Sequence, residues 1–419
     1  MMIDPATLAR RREEIYAASF APTTENRRIG AEVELLALDE QTLFPVPLLD
    51  GKRGLVARIA EFGAVNGWRE LPGYGRAPKF VIPGKGLISF EPGGQVEFSS
   101  DAQPSVSALV RILESVVTPL RAALYESGVR LESIGIDPIN DARDVPLQLD
   151  IERYETMTRY FDLRGPFGVR MMRQTAAIQI SLDRGSVPAT RWRLLNDLAP
   201  FVTAIFANSP AYLGEDSGHR SFRAHCWRSL DATRTGVAAS DADPALEYAR
   251  FALEANDMSR SLEIDAPFAV SDRSGDEAAW QTHLTTLFPE IRPRGHFEVR
   301  SCDAIDPTYY AAPLVFLSGI AYDETSSKEA AVLAGESRAL LRTAGERALR
   351  DQSIARTARD LFDLAIAGAE RLGGSFVDGK ALEIARGFVA EYTARDRSPA
   401  DDRETERRLP RASTPALTK

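Results

Sequence analysis

Glutamate recurs at alternate positions in segments of this chain that otherwise read as β-strand. In GAEVELL, Glu32 and Glu34 share one side of an extended backbone while Val33 and Leu35 share the other. In GGQVEFS, Gln95, Glu97 and Ser99 oppose Val96 and Phe98. In AAIQISLD, Gln179, Ser181 and Asp183 oppose Ile178, Ile180 and Leu182, and in HFEVRS, Glu298 and Arg300 fall together. These segments fit one sheet with an apolar face under helices and an opposite face dense in carboxylates, which antiparallel pairing permits. Glutamate is a poor strand former, so Glu-x-Glu in mid-strand is unfavourable without compensation. Solvent on an outer face compensates, and each strand alone is compatible with that reading. Several carboxylates on one face would repel unless a cation lay among them. Mg²⁺ or Mn²⁺, hard ions that prefer oxygen ligands, meet that need. Arg300, two residues from Glu298, suits a cation facing a phosphate beside a metal ligand.

The stretch FEPGGQVEFSS raises the same choice in miniature. Glu91 and Glu97 flank a Pro-Gly-Gly turn, which serves either a surface hairpin or a metal site. In the second case the glycines let the backbone turn sharply and approach a ligand closely, aiming both carboxylates into one space.

Around these segments the pattern is mixed. Strands are expected at 28–39, 130–135, 175–182 and 296–301, with a hairpin-like run in FVIPGKGLISFEPGGQVEFSS. Helical periodicity covers 52–67, 105–127, 150–160, 188–207, 245–254 and 307–322, and residues 1–20 read as an Arg/Glu-rich helical arm. From about 327 to 395 the chain becomes rich in Ala, Leu, Arg and Glu and reads as three helices packed onto the rest. Residues 396–419, charged and Pro-containing, read as a disordered tail. The expected organisation is therefore a catalytic unit over 1–326, a helical segment over 327–395, and the tail.

With 419 residues, 44% of them hydrophobic, the chain is long enough for a large core. A net charge of −9 without a Lys/Arg run gives no footprint for nucleic acid. The absence of a long apolar run predicts no membrane span, and the opening residues lack a secretory apolar core. A cytoplasmic location is expected, and Cys226 and Cys302 are too few for a disulfide framework. Neither a P-loop nor a G-x-G-x-x-G occurs, so a nucleotide would have to use the carboxylate sheet.

A second cluster, ANSPAYLGEDSGHRSFRAHCWRSLDATRTG, interleaves Arg220, Arg223, Arg228 and Arg234 with Ser, His and Trp. Arginine suits bidentate recognition of carboxylate and phosphate. The same residues could equally pair with acids of the chain itself. His225 and Cys226 read as packing residues.

RIGAEVEL, EPGGQVEFSS, RQTAAIQISLD, the arginine cluster and HLTTLFPEIRPRGHFEVRSCD occur in this order over residues 28–303. Together they resemble the plant and proteobacterial type of glutamate–cysteine ligase, a group that includes the actinobacterial ergothioneine-pathway enzymes. The resemblance implies an α+β, glutamine-synthetase-like fold whose curved, mostly antiparallel sheet forms a funnel for ATP, metals and glutamate. It implies that ATP phosphorylates the γ-carboxylate of L-glutamate and that an amine, normally that of L-cysteine, displaces phosphate. By position, Glu32, Glu34, Glu91, Glu97, Gln179 and Glu298 would be ligands of two or three Mg²⁺ or Mn²⁺ ions. Arg300 would act with Glu298 in catalysis, stabilising the transferred phosphoryl group, and Arg223 and Arg234 would hold the carboxylates of glutamate. The implied partners are ATP, L-glutamate and L-cysteine or another amine, with the protein a monomer or homodimer.

Three segments depart from the family pattern: IQISLD has Ser181 for the usual Asn, EFSS replaces ELS, and SCDAIDPTYY follows Arg300. The first removes an amide donor and bears on the acceptor amine. A relative that only binds ATP or glutamate, and a phosphotransferase forming no amide, are the competing readings. Retention of the glutamates and Arg300 speaks against a decayed site.

Overall fold

The computed structural model of the protein describes residues 3–24, 26–236, 243–259, 265–335 and 337–402. Its strands are β1 (Ile29–Asp39), β2 (Arg69–Tyr74), β3 (Ala77–Ile82), β4 (Gly86–Phe90), β5 (Val96–Ser100) and β6 (Val129–Glu132). They continue with β7 (Ile178–Asp183), β8 (Ala211–Tyr212), β9 (Glu215–Asp216), β10 (Ile291–Pro293) and β11 (His296–Val299). The helices of the first half are α1 (Pro5–Ile15), α2 (Leu55–Val65), α3 (Val106–Glu126), α4 (Glu152–Asp162), α5 (Pro166–Gln174) and α6 (Pro188–Ile205). Then come α7 (Phe222–Ser229), α8 (Ala232–Thr235), α9 (Pro244–Glu254), α10 (Glu277–Leu284) and α11 (Ala311–Tyr322). The last are α12 (Glu324–Ala334), α13 (Leu341–Arg347), α14 (Gln352–Leu372) and α15 (Gly379–Glu391).

Nine strands form one sheet in the order β10-β11-β7-β1-β5-β4-β3-β2, with β6 on the second half of β1. Every pairing is antiparallel, as two-faced strands require. The register gathers the polar positions. Glu34 lies directly opposite Glu97, Glu32 opposite both Ser99 and Gln179, and Glu298 opposite Ser181 and Arg292. Behind them Ala31, Val33 and Leu35 are buried in the main core, where α3 contributes Val106, Leu109, Val110, Leu113 and Val116. Beyond Leu35 the alternation is lost. Leu36 and Leu38 are buried with Ala176 and Ala304 in a small second cluster, so the carboxylate face stops there.

Helix starts follow local chemistry. Asp4, Asp243, Asp276, Asp351 and Asp378 each cap a helix by accepting backbone N–H bonds, and Pro5 and Pro244 take the first helical position. The N-terminal arm is shorter than its composition suggested. Helix α1 ends at Ile15 and one π turn, Tyr16–Phe20, follows. The arm is also docked: Phe20 packs against Trp192 and Phe297, with ring centroids 5.4 and 5.7 Å away.

Two expectations need correction at the C-terminal end. Helix α12 crosses the boundary read at 326/327, and among the described residues four α-helices follow residue 323 where three helices were expected. Residues 396–402 also pack: the Ala400 N–H donates to the carbonyl of Ala207, and Asp401 accepts from Arg350 at 2.8 Å. A tail composition did not reveal these partners because they lie far away in sequence. Residues 403–419 lie outside the described residues. Among the described residues no helix is long and apolar enough to cross a membrane.

Candidate active site

The polar face of the sheet opens into a cleft of about 800 Å³. Glu32 and Glu34 reach it from β1, Glu91 and Glu97 from either side of the β4–β5 turn, and Gln179 from β7. Glu298 and Arg300 reach it from β11 and its exit. Seven of the nine positions singled out from sequence therefore converge on one space.

The turn between Glu91 and Glu97 is gripped by protein. The Gly93 N–H donates to Gln95 Oε1 at 2.9 Å, and the Gly93 carbonyl accepts from Gln148 Nε2 at 2.9 Å. A Cβ on Gly93 would lie 1.9 Å from the Arg173 carbonyl oxygen, and Gly94 has φ +91°. The close approach expected of these glycines is thus made to the end of α5. Gln95 serves the same turn, donating to the Thr175 carbonyl at 2.9 Å.

Burial sets the charge of the carboxylates. Glu32 is pushed up to about 8 by burial, then by Glu97 and Glu298, with Arg300 opposing. Glu34 rises to about 7 for the same first reason and through Glu97. Glu91 is raised well above the ordinary range by burial, Glu97 and Glu34. Glu298 goes the other way: burial raises it, but Arg292, Arg300 and Arg294 together hold it below the usual value.

Three of the carboxylates have partners of their own. Glu34 accepts from the Ala177 N–H at 2.8 Å and from Gln179 Nε2 at 2.7 Å. Glu97 accepts from the hydroxyls of Ser89 and Ser99 at 2.9 and 2.8 Å. Glu298 accepts from Arg300 Nη1 at 2.9 Å, with Arg292 and Arg294 at 3.5 and 3.9 Å from its second oxygen. Among the described residues no three His, Cys, Asp or Glu side chains are already drawn together tightly enough to hold an ion. The donor set itself suits a hard cation: the six candidate ligands, all oxygen-bearing, face one cleft, and the buried Gln179 Oε1 and Glu298 Oε2 lack hydrogen-bond partners.

Arg223 and Arg234 do not line the cleft, where the substrate-holding role expected of them would need them. Arg234 is fully buried, bound to Asp231 at 3.1 Å, to Thr286 through Oγ1 and the carbonyl, and to the Asn256 carbonyl. Its donors are occupied by its own chain. Arg223 lies behind the site, where its Nη2 donates to the Arg300 carbonyl at 2.9 Å and its Nη1 is 3.7 Å from Asp303. Arg220 and Arg228 likewise pair with Asp216 and Glu290, both at 2.9 Å. Cys226 is a packing residue, buried and with its thiol pushed up to about 12.

Sequence reading missed other cleft residues. Arg292, Arg294 and Arg153 line it, as do Trp227, Trp280 and Tyr248. The signal for the first two was present in IRPRGHFEVR. Gly295, at φ +78°, turns β10 back on β11 and puts Arg292 opposite Glu298. Trp227 stands 5.1 Å from the Arg223 guanidinium and 4.7 Å from that of Arg300, within cation–π range of both.

The chain matches the family model described as glutamate-cysteine ligase family 2 (GCS2) over residues 28–372. It is 33% identical over 341 residues to glutamate–cysteine ligase EgtA of Mycolicibacterium smegmatis, covering 77% of this chain and 78% of that one. It is 28% identical over 401 residues to the chloroplastic glutamate–cysteine ligase A of Oryza sativa subsp. japonica, covering 85% and 77%. Among solved structures, a glutamate–cysteine ligase of Francisella tularensis in complex with AMP superposes with a TM-score of 0.50. That match has 14% identity and covers 92% and 89% of the two chains. It is a likeness of fold, and the fold is the glutamine-synthetase-like α+β architecture implied by the resemblance.

Proposed function

The chain belongs to glutamate–cysteine ligase family 2, a family of ATP-dependent γ-glutamyl ligases, and from that premise we propose that it forms γ-glutamylcysteine. The γ-carboxylate of L-glutamate takes the terminal phosphoryl group of ATP. The amine of L-cysteine then attacks the γ-glutamyl phosphate, forming the amide and releasing phosphate. The observation that carries this reading is the division of one cleft into an acidic wall, Glu32, Glu34, Glu91 and Glu97, and a basic hairpin with Arg292, Arg294 and Arg300.

Phosphoryl transfer between two anions is mainly a matter of positioning and charge neutralisation. Glu32, Glu34, Glu91, Glu97 and Gln179 would hold two or three Mg²⁺ or Mn²⁺ ions. Bound there, the ions would neutralise phosphate oxygens and lessen the repulsion between ATP and a carboxylate nucleophile. Glu298, already neutralised by three arginines, orients Arg300 and would complete a metal shell through its second oxygen. Arg300 stabilises charge on the transferred phosphoryl group, its Nε being buried without a hydrogen-bond partner. With Arg223 and Arg234 engaged elsewhere, Arg153, Arg292 and Arg294 are the cleft arginines left to meet the carboxylates of glutamate. Arg223 contributes indirectly by holding the Arg300 backbone.

The test is to mix the protein with ATP, Mg²⁺ and L-glutamate, add amines one at a time, and follow phosphate release and product mass. Turnover with cysteine yielding γ-glutamylcysteine supports the reading. Turnover only with another amine keeps the ligase chemistry and replaces the acceptor. Nucleotide binding without turnover on any amine refutes it.

Metal occupancy also predicts a pH dependence. Glu32 and Glu34 have higher pKa values in the fold than the ordinary 4.5. Such groups favour the fold while protonated, so that contribution is complete below the ordinary carboxylate range and is lost as pH rises through 7 and 8. Without divalent ions, the melting temperature should fall between about pH 5 and about pH 8. Added Mg²⁺ should restore it, more strongly at the alkaline end, because ion and proton compete for the same oxygens. A Mg²⁺ effect independent of pH would remove these carboxylates from the ion site.

A further inference from the structure

Away from the cleft, the outer sides of α5 and α7 carry basic side chains that the proposed reaction does not use. The half-buried His219 and His225 lie with ring centroids 4.2 Å apart. Phe222 stacks on His225 at 5.6 Å, and Phe167 meets it edge-on at 5.0 Å. The Arg170 guanidinium lies 4.3 Å over the ring of Tyr212. Tyr212, Phe222, Ile136 and Cys226 form a cluster separate from the main core, with Phe167 packed against it. His219 Nδ1 is 3.1 Å from the Ser217 carbonyl, so that nitrogen carries the proton and Nε2 is left over.

The charges that act on His225 have one sign. Burial lowers the pKa of His225 to about 4, and His219, Arg228, Arg342 and Arg170 all push in the same direction. The nearby acids are already engaged: Asp141 with Arg143 at 2.6 Å, Asp216 with Arg220 at 2.9 Å, and Glu290 with Arg228 at 2.9 Å. Among the described residues neither Arg170 nor the exposed Arg342 has a carboxylate within ion-pair distance. In a chain of net charge −9, these two guanidinium groups keep donors that no carboxylate meets directly, and an anion beside them would gain charge-assisted hydrogen bonds.

We propose that Arg170, Arg342, His219 and His225 form a binding site for a small phosphate-class anion, separate from the cleft. The two guanidinium groups supply fixed charge, and the imidazoles supply N–H donors when protonated. The site lies behind helices that also serve the cleft. Helix α7 carries Arg223, which holds the Arg300 carbonyl, and Trp227, while α5 carries Met171 and Met172. The proposal does not depend on the reaction assigned above.

Four histidines make the test direct. Inorganic phosphate is titrated into the full chain at constant ionic strength against chloride, and the imidazole NMR signals are followed. His219 and His225 should shift saturably, with a midpoint in the range of about 1–10 mM, and the pKa of His225 should rise. His283, buried and stacked on Phe268 at 4.2 Å, should not move. His296, two residues from Glu298, reports phosphate entering the cleft. Arg342→Gln should weaken the response at least about tenfold at an unchanged melting temperature, since the residue is exposed. Arg170→Gln should abolish it. No saturable shift at His219 and His225, an equal shift in chloride, or a response confined to His296 would overturn the proposal.

Discussion

Glu97→Gln should yield a folded protein, slightly more stable than the parent without added divalent ions, whose turnover is lower by on the order of a thousandfold. The two signs follow from one geometry. Glu97 stands directly across from Glu34 in the β1–β5 pair, and its charge helps to raise the pKa values of Glu32, Glu34 and Glu91. Like charges in that position cost about 0.2–1 kcal/mol, which the neutral amide would relieve. The amide oxygen can still accept from Ser89 and Ser99, so the local bonds survive. What it cannot do is supply negative charge to a cation. Melting temperature without metal and turnover with ATP and Mg²⁺ are the two measurements. Near-normal turnover would remove Glu97 from the site, and loss of stability together with activity would make its role structural.

Gly93→Ala should be the most damaging single methyl group in the site, costing about 3 kcal/mol or more in stability. The added Cβ would lie 1.9 Å from the Arg173 carbonyl oxygen and 2.6 Å from the Arg173 carbonyl carbon. Both are backbone atoms, so no side chain can swing aside. Either the Glu91–Gln95 turn or the end of α5 must move, and the bonds from Gln95 and Gln148 hold that turn in place. Activity should fall with stability, because the same turn aims Glu91. Gly387→Ala is the control: this exposed residue of α15 has nothing within 4 Å of an added Cβ. It should gain about 0.5–1 kcal/mol from the helix propensity of alanine. Denaturant unfolding of both variants checks the pair, and a loss at Gly93 no greater than a few tenths of a kcal/mol would mean that the turn yields easily.

The carboxylate face was legible because strand geometry is local. A period of two residues decides which side chains share a side, so Glu32 with Glu34 and Glu298 with Arg300 could be paired before any contact was known. The longer helices were legible for the same reason, since apolar periodicity is local, whereas the shorter α5, α7, α8 and α10 were not singled out. The destinations of the arginines were not. Arg234 reads like a substrate ligand, yet Asp231, Thr286 and Asn256 take its donors, and two of these partners are remote in sequence. Arg292 and Arg294 were not singled out, because only the folding of β10 onto β11 sets them beside Glu298. By itself the sequence determined the alternation, the longer helices and the residue types of the site. Only tertiary structure decided which charges meet across the cleft and which are consumed behind it, because burial and ion pairing depend on neighbours brought together by the whole chain.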